Sequence, residues 1–450
     1  MQEKKKMGLT AKVLWAMLLG ALVGLVINYS GINSEGSFTH TYIVGGLFYV
    51  IGKMFIAALK MLVVPLVIFS LISGVLGIGN LSTLGKVGLK SFALYILTTA
   101  IAIAMAISLA IIIAPGSGAE EVSSTAFTAK EAPPLSDVLI GIVPNNIVDA
   151  LASGNMLQII FFSILFGISL MMVGPKATKV AEIVEIINEA MMNMVNIIMS
   201  VAPIAVFALL AKAISELGMD LLIDLAGYVL VLIAALLFHL FGTLMIILKL
   251  FSGLSPKIFL RKIRDAQIFA FSTSSSNATI PVTLRSVTER MGVDNSVASF
   301  TVPFGATINM DGTAIMQGVA TVFIANVYGV ELGVTGYLTV ILMSVLASVG
   351  TAGVPGVGLI MLSMVFVQVG LPVEGIGLIL GVDRLLDMIR TSVNVSGDAV
   401  VSCVVAKSEG ELDQTIYEDV DAGKFDDDAI KIDSKTEEAL ANAIHKIEER

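Results

Sequence analysis

Residues 271–281 read FSTSSSNATIP, and residues 348–358 read SVGTAGVPGVG. Each stretch interrupts an apolar segment at mid-length. Each segment is too long for one tidy helix and too fragmented by Gly, Pro and Ser to cross a membrane intact. Both therefore read as helical hairpins, in which two half-helices meet at a loop at membrane depth. Irregular backbone is tolerated there only when it is buried in protein or lines an aqueous cavity.

The rest of the chain supports a membrane setting. Its 450 residues are 56% hydrophobic and 14% charged, with a mean hydropathy of +0.92. An average soluble domain is about one quarter charged. Apolar runs such as 44–73 and 228–248 are long enough for a hydrocarbon core about 30 Å thick. A β-barrel would show short alternating segments instead. The composition thus predicts an all-α polytopic membrane protein. The N-terminal stretch has an apolar part too long for a signal peptide and lacks a clear cleavage site, so it reads as an uncleaved first span. The single cysteine, Cys403, excludes an internal disulfide, and no Cys/His cluster suggests a bound transition metal. No basic, aromatic-interleaved patch points to nucleic acid. Residues 407–450 hold 14 acids and 6 bases, so most of the net charge of −9 lies in this tail. The tail reads as a polar, disordered appendage with a short helix around Glu437–Glu449.

Six ordinary spans are expected at 11–30, 42–75, 86–114, 137–173, 183–215 and 219–250, the second steeply tilted because of its length. Residues 115–135 form a loop by composition. Lysines and arginines fall before span one (4–6, 12), between spans two and three (86, 90), between four and five (176, 179) and after span six (257, 261, 262, 264). Positive residues mark the cytoplasmic side, so the N-terminus is expected inside. Arg285 and Arg290 follow the first hairpin and put its ends inside. No Lys or Arg lies between Val327 and Asp383, so the second hairpin is expected to open outward. After each hairpin comes an apolar segment with a polar centre: NMDGT (309–313), then GVDRLLDMIRTSVNVSGD (381–398). Hairpin–broken span followed by hairpin–charged span, in opposite orientations, is the pattern of an inverted repeat with its site at the interface.

At 100° per residue, Asp383, Asp387, Arg390, Thr391, Asn394 and Asp398 share one stripe about 100° wide. A charge at the centre of a membrane helix costs at least about 2.5–3.5 kcal/mol on insertion scales, so such residues signal function by default. The plain structural alternative is that arginines and aspartates pair off, with Asp383 on Arg384 as the first such pair. One arginine cannot serve acids at all these positions. Arg390 has a fork suited to a carboxylate, and Asp387 is the nearest acceptor for an ammonium. Together they suit an α-amino acid with an acidic side chain. In NMDGT, Asn309 and Gly312 break the helix and free carbonyls, and Thr307, Asn309 and Asp311 add side-chain oxygens. All-oxygen clusters suit hard cations, and unwound carbonyls at mid-membrane are where transporters hold sodium. A mere kink at Gly312 would not need Asp311. The serine-rich hairpin tip presents N–H groups at half-helix ends, which attract carboxylates; read as a mere flexible linker, it would sit oddly in such apolar surroundings.

SSSNATIP, GATINMDGTA, SVGTAGVPG and DRLLDMIRTSVNVSGD occur in this order and spacing. In this the chain resembles the glutamate transporter family, the dicarboxylate/amino acid:cation symporters, over roughly residues 10–408, and within it a prokaryotic sodium-coupled aspartate or glutamate transporter. The resemblance implies eight transmembrane helices, two re-entrant hairpins and a homotrimer in the cytoplasmic membrane, with both termini cytoplasmic. It implies a scaffold at 1–85 and 137–218. A mobile transport domain would comprise span 3, which with the following loop is 86–136, and residues 219–408. Residues 409–450 are the acidic tail. The transport domain would slide like an elevator, with the second hairpin as outer gate. Matched by motif position, substrate would meet Ser276, Thr313, Val354, Gly358, Asp387, Arg390, Thr391 and Asn394. Arg390 would hold the side-chain carboxylate and Asp387 the amine. Co-transported sodium would bind at Gly305, Asn309, Asn394 and Asp398. A second site would use Thr307, Ser348, Val349 and Thr351, and a third Tyr95, Thr98, Thr99, Asn309 and Asp311.

Relatives for neutral amino acids lack an arginine at position 390, and the dicarboxylate branch lacks the DMIRT pattern. Both features favour aspartate or glutamate, with a proton- or sodium-coupled C4-dicarboxylate symporter as the alternative. Proton-carrying animal relatives have a glutamate where Gln317 stands, and archaeal members have an arginine where Ser274 stands; here an arginine, Arg384, follows Asp383. An intramembrane aspartyl protease would need two facing carboxylates, usually one in GxGD, and the last aspartate here reads VSGD. A dedicated channel would need a filter, and none is legible.

Overall fold

A computed structural model describes residues 9–77, 84–117, 140–349, 353 and 355–423. Within them the chain is almost entirely helical. The elements are α1 (Leu9–Tyr29), α2 (Tyr49–Gly77), α3 (Leu89–Ile113), α4 (Ile147–Ser153), α5 (Met156–Val173), α6 (Thr178–Ser200), α7 (Ala202–Phe238), α8 (Leu244–Ser252) and α9 (Pro256–Lys262). After them come α10 (Arg264–Thr273), α11 (Ser276–Arg285), α12 (Asn295–Ile308), α13 (Asp311–Val327), α14 (Gly333–Ser348), α15 (Val357–Gln368), α16 (Ile376–Glu409) and α17 (Gln414–Glu418). Five helical stretches among the described residues are long and apolar enough to cross a membrane.

The span boundaries differ from the sequence reading in three places. The expected fourth span is not one helix, because Gly154 turns left-handed between α4 and α5. The fifth begins earlier, at Thr178, and is interrupted at Val201, just before Pro203. The sixth contains a π-helical turn, His239–Thr243, between α7 and α8. Gly218 (φ 70°, ψ −148°) lies inside α7 and separates the fifth span from the sixth. Only glycine takes that backbone conformation without strain.

Both hairpin motifs are helix pairs. α10 and α11 pack on each other across Ser274 and Ser275; Ser274 is left-handed and Ser275 caps α11 by accepting from Ala278 N. α14 and α15 flank the second motif, with Gly356 left-handed ahead of α15. The break at NMDGT is present. α12 ends at Ile308, Asn309 and Met310 are non-helical, and the helix resumes at Asp311. The charged stretch lies inside α16, a single helix of 34 residues. α13 and α16 are buried along most of their length, so polar groups on them face protein rather than lipid.

The start of the acidic tail is docked, contrary to the expectation of disorder across residues 407–450. Asp294 N donates to Glu411 O (2.9 Å), Asp413 N donates to Gly292 O (2.8 Å), and Val293 and Leu412 form an antiparallel bridge. Lys262 is wholly buried beneath this segment and donates to the carbonyls of Arg290 and Ile416. Residues 411–422 therefore belong to the fold. The helix expected around Glu437–Glu449 lies outside the described residues.

Candidate functional site

The broken helix and α16 meet along the polar stripe. Asn309 Nδ2 donates to Asp398 Oδ1 at 2.9 Å and approaches Asn394 O at 3.3 Å. The Asn394 side chain accepts from Gly312 N at 2.7 Å, so it caps the restart of α13. Gly305 lies directly against the Asp398 carboxylate, and its own carbonyl accepts from Asn309 N at 2.7 Å. A side chain at Gly305 would displace Asp398 or the Tyr95 hydroxyl. The first expected cation set, Gly305, Asn309, Asn394 and Asp398, is thus brought together around oxygen donors. Such a set suits a hard monovalent or divalent cation.

The third expected set converges as well. Thr99 Oγ1 donates to Asp311 Oδ1 at 2.6 Å, and Thr98 Oγ1 lies 3.2 Å from the same oxygen and 3.4 Å from Asn309 Oδ1. Tyr95 is fully buried beside them and donates its hydroxyl to Thr301 O at 2.9 Å. Asn309 therefore touches both clusters. The second expected set is not assembled by hydrogen bonds. Thr307 Oγ1 returns to Phe304 O and Ser348 Oγ to Val345 O, each within its own helix. Val349 is buried nearby in sequence, and Thr351 lies outside the described residues.

In the expected substrate set, Ser276, Thr313, Arg390, Thr391 and Asn394 are buried. Arg390 is 1% exposed. Its Nη1 bonds Asp383 Oδ1 at 2.7 Å and its Nη2 bonds Asp387 Oδ1 at 2.8 Å. Of the pairings weighed from sequence, the ion pair to Asp383 comes from Arg390 rather than from Arg384, because positions 383 and 390 are two turns apart on one face. Arg384 instead approaches Asp387, with Nη1 3.9 Å from Oδ2. Asp387 Oδ2 and Arg390 Nε are buried with no hydrogen-bond partner. Gly358 stands where a Cβ would meet the Thr313 methyl at 3.2 Å and Arg390 Nη2 at 3.7 Å, so α15 closes over the guanidinium. Val354 lies outside the described residues. The two hairpin tips touch: Ser275 Oγ and Asn277 N both donate to Gly353 O, at 2.7 and 3.2 Å.

Sequence reasoning missed His239. Its Nε2 lies 3.0 Å from Asp311 Oδ2, both side chains are 0% exposed, and its Nδ1 has no partner. The signal was present, since His239 is the one ionisable residue in the apolar run between Tyr228 and Lys249.

Comparison with known proteins bears on this geometry. The family described as "Sodium:dicarboxylate symporter family" matches residues 9–408. The "Proton/glutamate-aspartate symporter" of Escherichia coli is 36% identical over 94% of this chain and 98% of its own length. The "Proton/sodium-glutamate symport protein" of Bacillus caldotenax is 35% identical over 91% of this chain and 96% of its own. The "C4-dicarboxylate transport protein" of Bacillus subtilis is 34% identical over 90% and 94%.

Proposed function

The chain belongs to the sodium:dicarboxylate symporter family and is a membrane transporter rather than an enzyme, and from that premise we propose that it is a sodium-coupled symporter of L-aspartate or L-glutamate. The observation that carries the substrate assignment is the pairing of a buried acceptor with a buried donor. Asp387 Oδ2 and Arg390 Nε, within one turn of each other, lack hydrogen-bond partners, and the cation facing the former, Arg384 Nη1, stands off at 3.9 Å. An ammonium answers the first and a carboxylate the second. Arg390 holds the side-chain carboxylate, Asp387 the amine, and Ser276, Thr313, Gly358, Thr391 and Asn394 complete the pocket with Val354.

A C4-dicarboxylate is the second reading, since relatives bearing that name match about as well over the chain. Asp387 argues against it. A second carboxylate brought to that aspartate would meet a like charge, whereas an ammonium would be attracted.

Sodium is cargo in this reading. One ion binds at Gly305, Asn309, Asn394 and Asp398, a second at Thr307, Ser348, Val349 and Thr351, and a third at Tyr95, Thr98, Thr99, Asn309 and Asp311. Asn309 and Asn394 link the first ion to the substrate: Asn394 lies one turn from Arg390 and caps the helix that carries Thr313. Each ligand thereby stabilises the same closed arrangement, which is how coupling arises.

Alternating access follows an elevator movement in a homotrimer within the cytoplasmic membrane, with both termini inside. Residues 1–85 and 137–218 form the scaffold, and residues 86–136 and 219–408, with the two re-entrant hairpins, form the moving part.

Uptake of radiolabelled aspartate, glutamate and succinate into proteoliposomes, with sodium and proton gradients imposed separately, tests the proposal. Aspartate or glutamate accumulation driven by sodium alone is expected. Accumulation of succinate alone, or driven only by protons, would overturn it.

A further inference from the structure

Lys53 and Lys60 are the only charged residues of α2. They stand seven residues apart, two turns, so both project from one face about 10 Å apart along the axis. Both reach the same carboxylate oxygen: Glu374 Oε1 lies 2.8 Å from Lys53 Nζ and 3.9 Å from Lys60 Nζ. Glu374 belongs to a 3-10 turn, Val373–Gly375, that joins α15 to α16. It is the one charged residue between Glu331 and Asp383.

The depth of this contact is informative. The C-terminal end of α16 lies beside Lys90, which bonds Ser408 Oγ at 2.9 Å and Glu409 at 2.5 Å. On the proposed topology this end is cytoplasmic, so Glu374 marks the outward end of the same 34-residue helix. Yet Lys53 and Lys60 lie about 20 and 30 Å along the helical stretch that begins at Thr39, well inside the span. An outward end thus sits beside the interior of α2. A second observation gives the same displacement. Asp383, Arg384 and Asp387 share a cleft with Val13, five residues into α1 from its proposed cytoplasmic end, and with Met199 and Val206. The half of the molecule that carries the binding stripe is therefore low in the membrane relative to α1 and α2.

We propose that Glu374 and the lysine pair of α2 form a latch that selects this cytoplasm-displaced position. The inference rests on the sliding movement proposed above. A shift of the stripe-bearing half outward by more than one or two turns carries Glu374 beyond both ammonium groups, so the bond exists only near this register. Two lysines at one spacing let the carboxylate keep a partner over about 10 Å of travel, which gives the latch a short capture range rather than a single fixed stop. The lysine side chains are 41% and 44% exposed and that of Glu374 is 40% exposed. The carboxylate is thus not enclosed by packing, so sliding can part it from the lysines without unfolding either helix.

The test uses the full-length protein in proteoliposomes, with Cys403→Ala and spin labels on cysteines at Tyr29 and Val334, both exposed and on opposite halves. Electron–electron distance distributions report how the halves are displaced. Glu374→Gln is expected to lower the ratio of cytoplasm-displaced to outward molecules at least about threefold, the lower bound set by an ion pair in water. The swap Lys53→Glu with Glu374→Lys is expected to restore it in part. Two distance populations whose ratio is unchanged by Glu374→Gln would overturn the latch while leaving sliding intact. A single distance under every ligand and sodium condition would overturn sliding, and the latch with it.

Discussion

His239 Nε2 and Asp311 Oδ2 lie 3.0 Å apart in a region from which both side chains are completely excluded from solvent. The other carboxylate oxygen of Asp311 takes the hydroxyls of Thr98 and Thr99. His239 thus fixes which oxygen of Asp311 faces the threonines. His239→Leu is expected to raise the sodium concentration for half-maximal aspartate uptake about tenfold or more, the scale of a hydrogen bond to a charged group. His239→Gln, whose amide can donate in the same place, is expected to recover most of that loss. Equal sodium dependence in all three proteins would remove the positioning role.

Arg390→Cys is expected to abolish aspartate and glutamate uptake, because Arg390 is the wholly buried cation beside Asp387 and Gly358. Sodium binding at the Asn309–Asp398 cluster should persist. The check is equilibrium binding of sodium alongside uptake, and unchanged aspartate transport would refute the side-chain assignment.

Asp387→Asn separates the two substrate readings. Removing the carboxylate takes away the amine partner and lifts the repulsion against a second substrate carboxylate. Aspartate uptake should fall at least about 100-fold, the effect of losing a buried charge-assisted bond. Inhibition of any remaining flux by succinate should strengthen. A parallel loss for succinate and aspartate would argue against the amine assignment.

Gly397 stands where a Cβ would lie 2.5 Å from Asn309 Nδ2 and 3.3 Å from Asp311 Oδ2. Gly397→Ala must push Asn309 off Asp398, so the two oxygen clusters that Asn309 joins should loosen together. Weakened sodium affinity is expected, with aspartate affinity at saturating sodium reduced much less. The two titrations, measured separately, decide this.

Asp413 caps α17 within the docked C-terminal segment: its carboxylate accepts from Thr415 Oγ1 and from the amides of Thr415 and Ile416. The side-chain bond from Thr415, then the backbone bonds, hold its carboxyl below the ordinary value of 3.8. A lowered carboxylate pKa stabilises the folded form above the ordinary value, and the contribution is lost as pH falls through the folded value. Protection of residues 411–419 from proteolysis should therefore be flat through neutral pH and fall only below about pH 4. Asp413→Ala should show the unprotected pattern at neutral pH.

Much of the fold was legible because burial in lipid forces simple patterns. Helices must satisfy their own backbone, so apolar length marks the spans, and the polar interruptions at 271–281 and 309–313 mark the breaks. The stripe on α16 followed from helical period alone, since residues 383, 387, 390, 394 and 398 must share a face. The docked tail was not legible, because its composition is that of a solvated chain. Its partners, among them Lys262, Gly292, Asp294 and Ser255, come from elements distant in sequence.

What the sequence by itself determined is which residues lie on one face of one helix. What only the tertiary structure decided is which faces meet. Asp311 with His239, 72 residues apart, and Glu374 with Lys53, 321 apart, are matched by packing alone. The physical reason is that period fixes angle around a helix axis, while the depth of one helix against another depends on the fit of every other side chain between them. That relative depth, read here from Glu374 against α2, leaves no trace in local sequence.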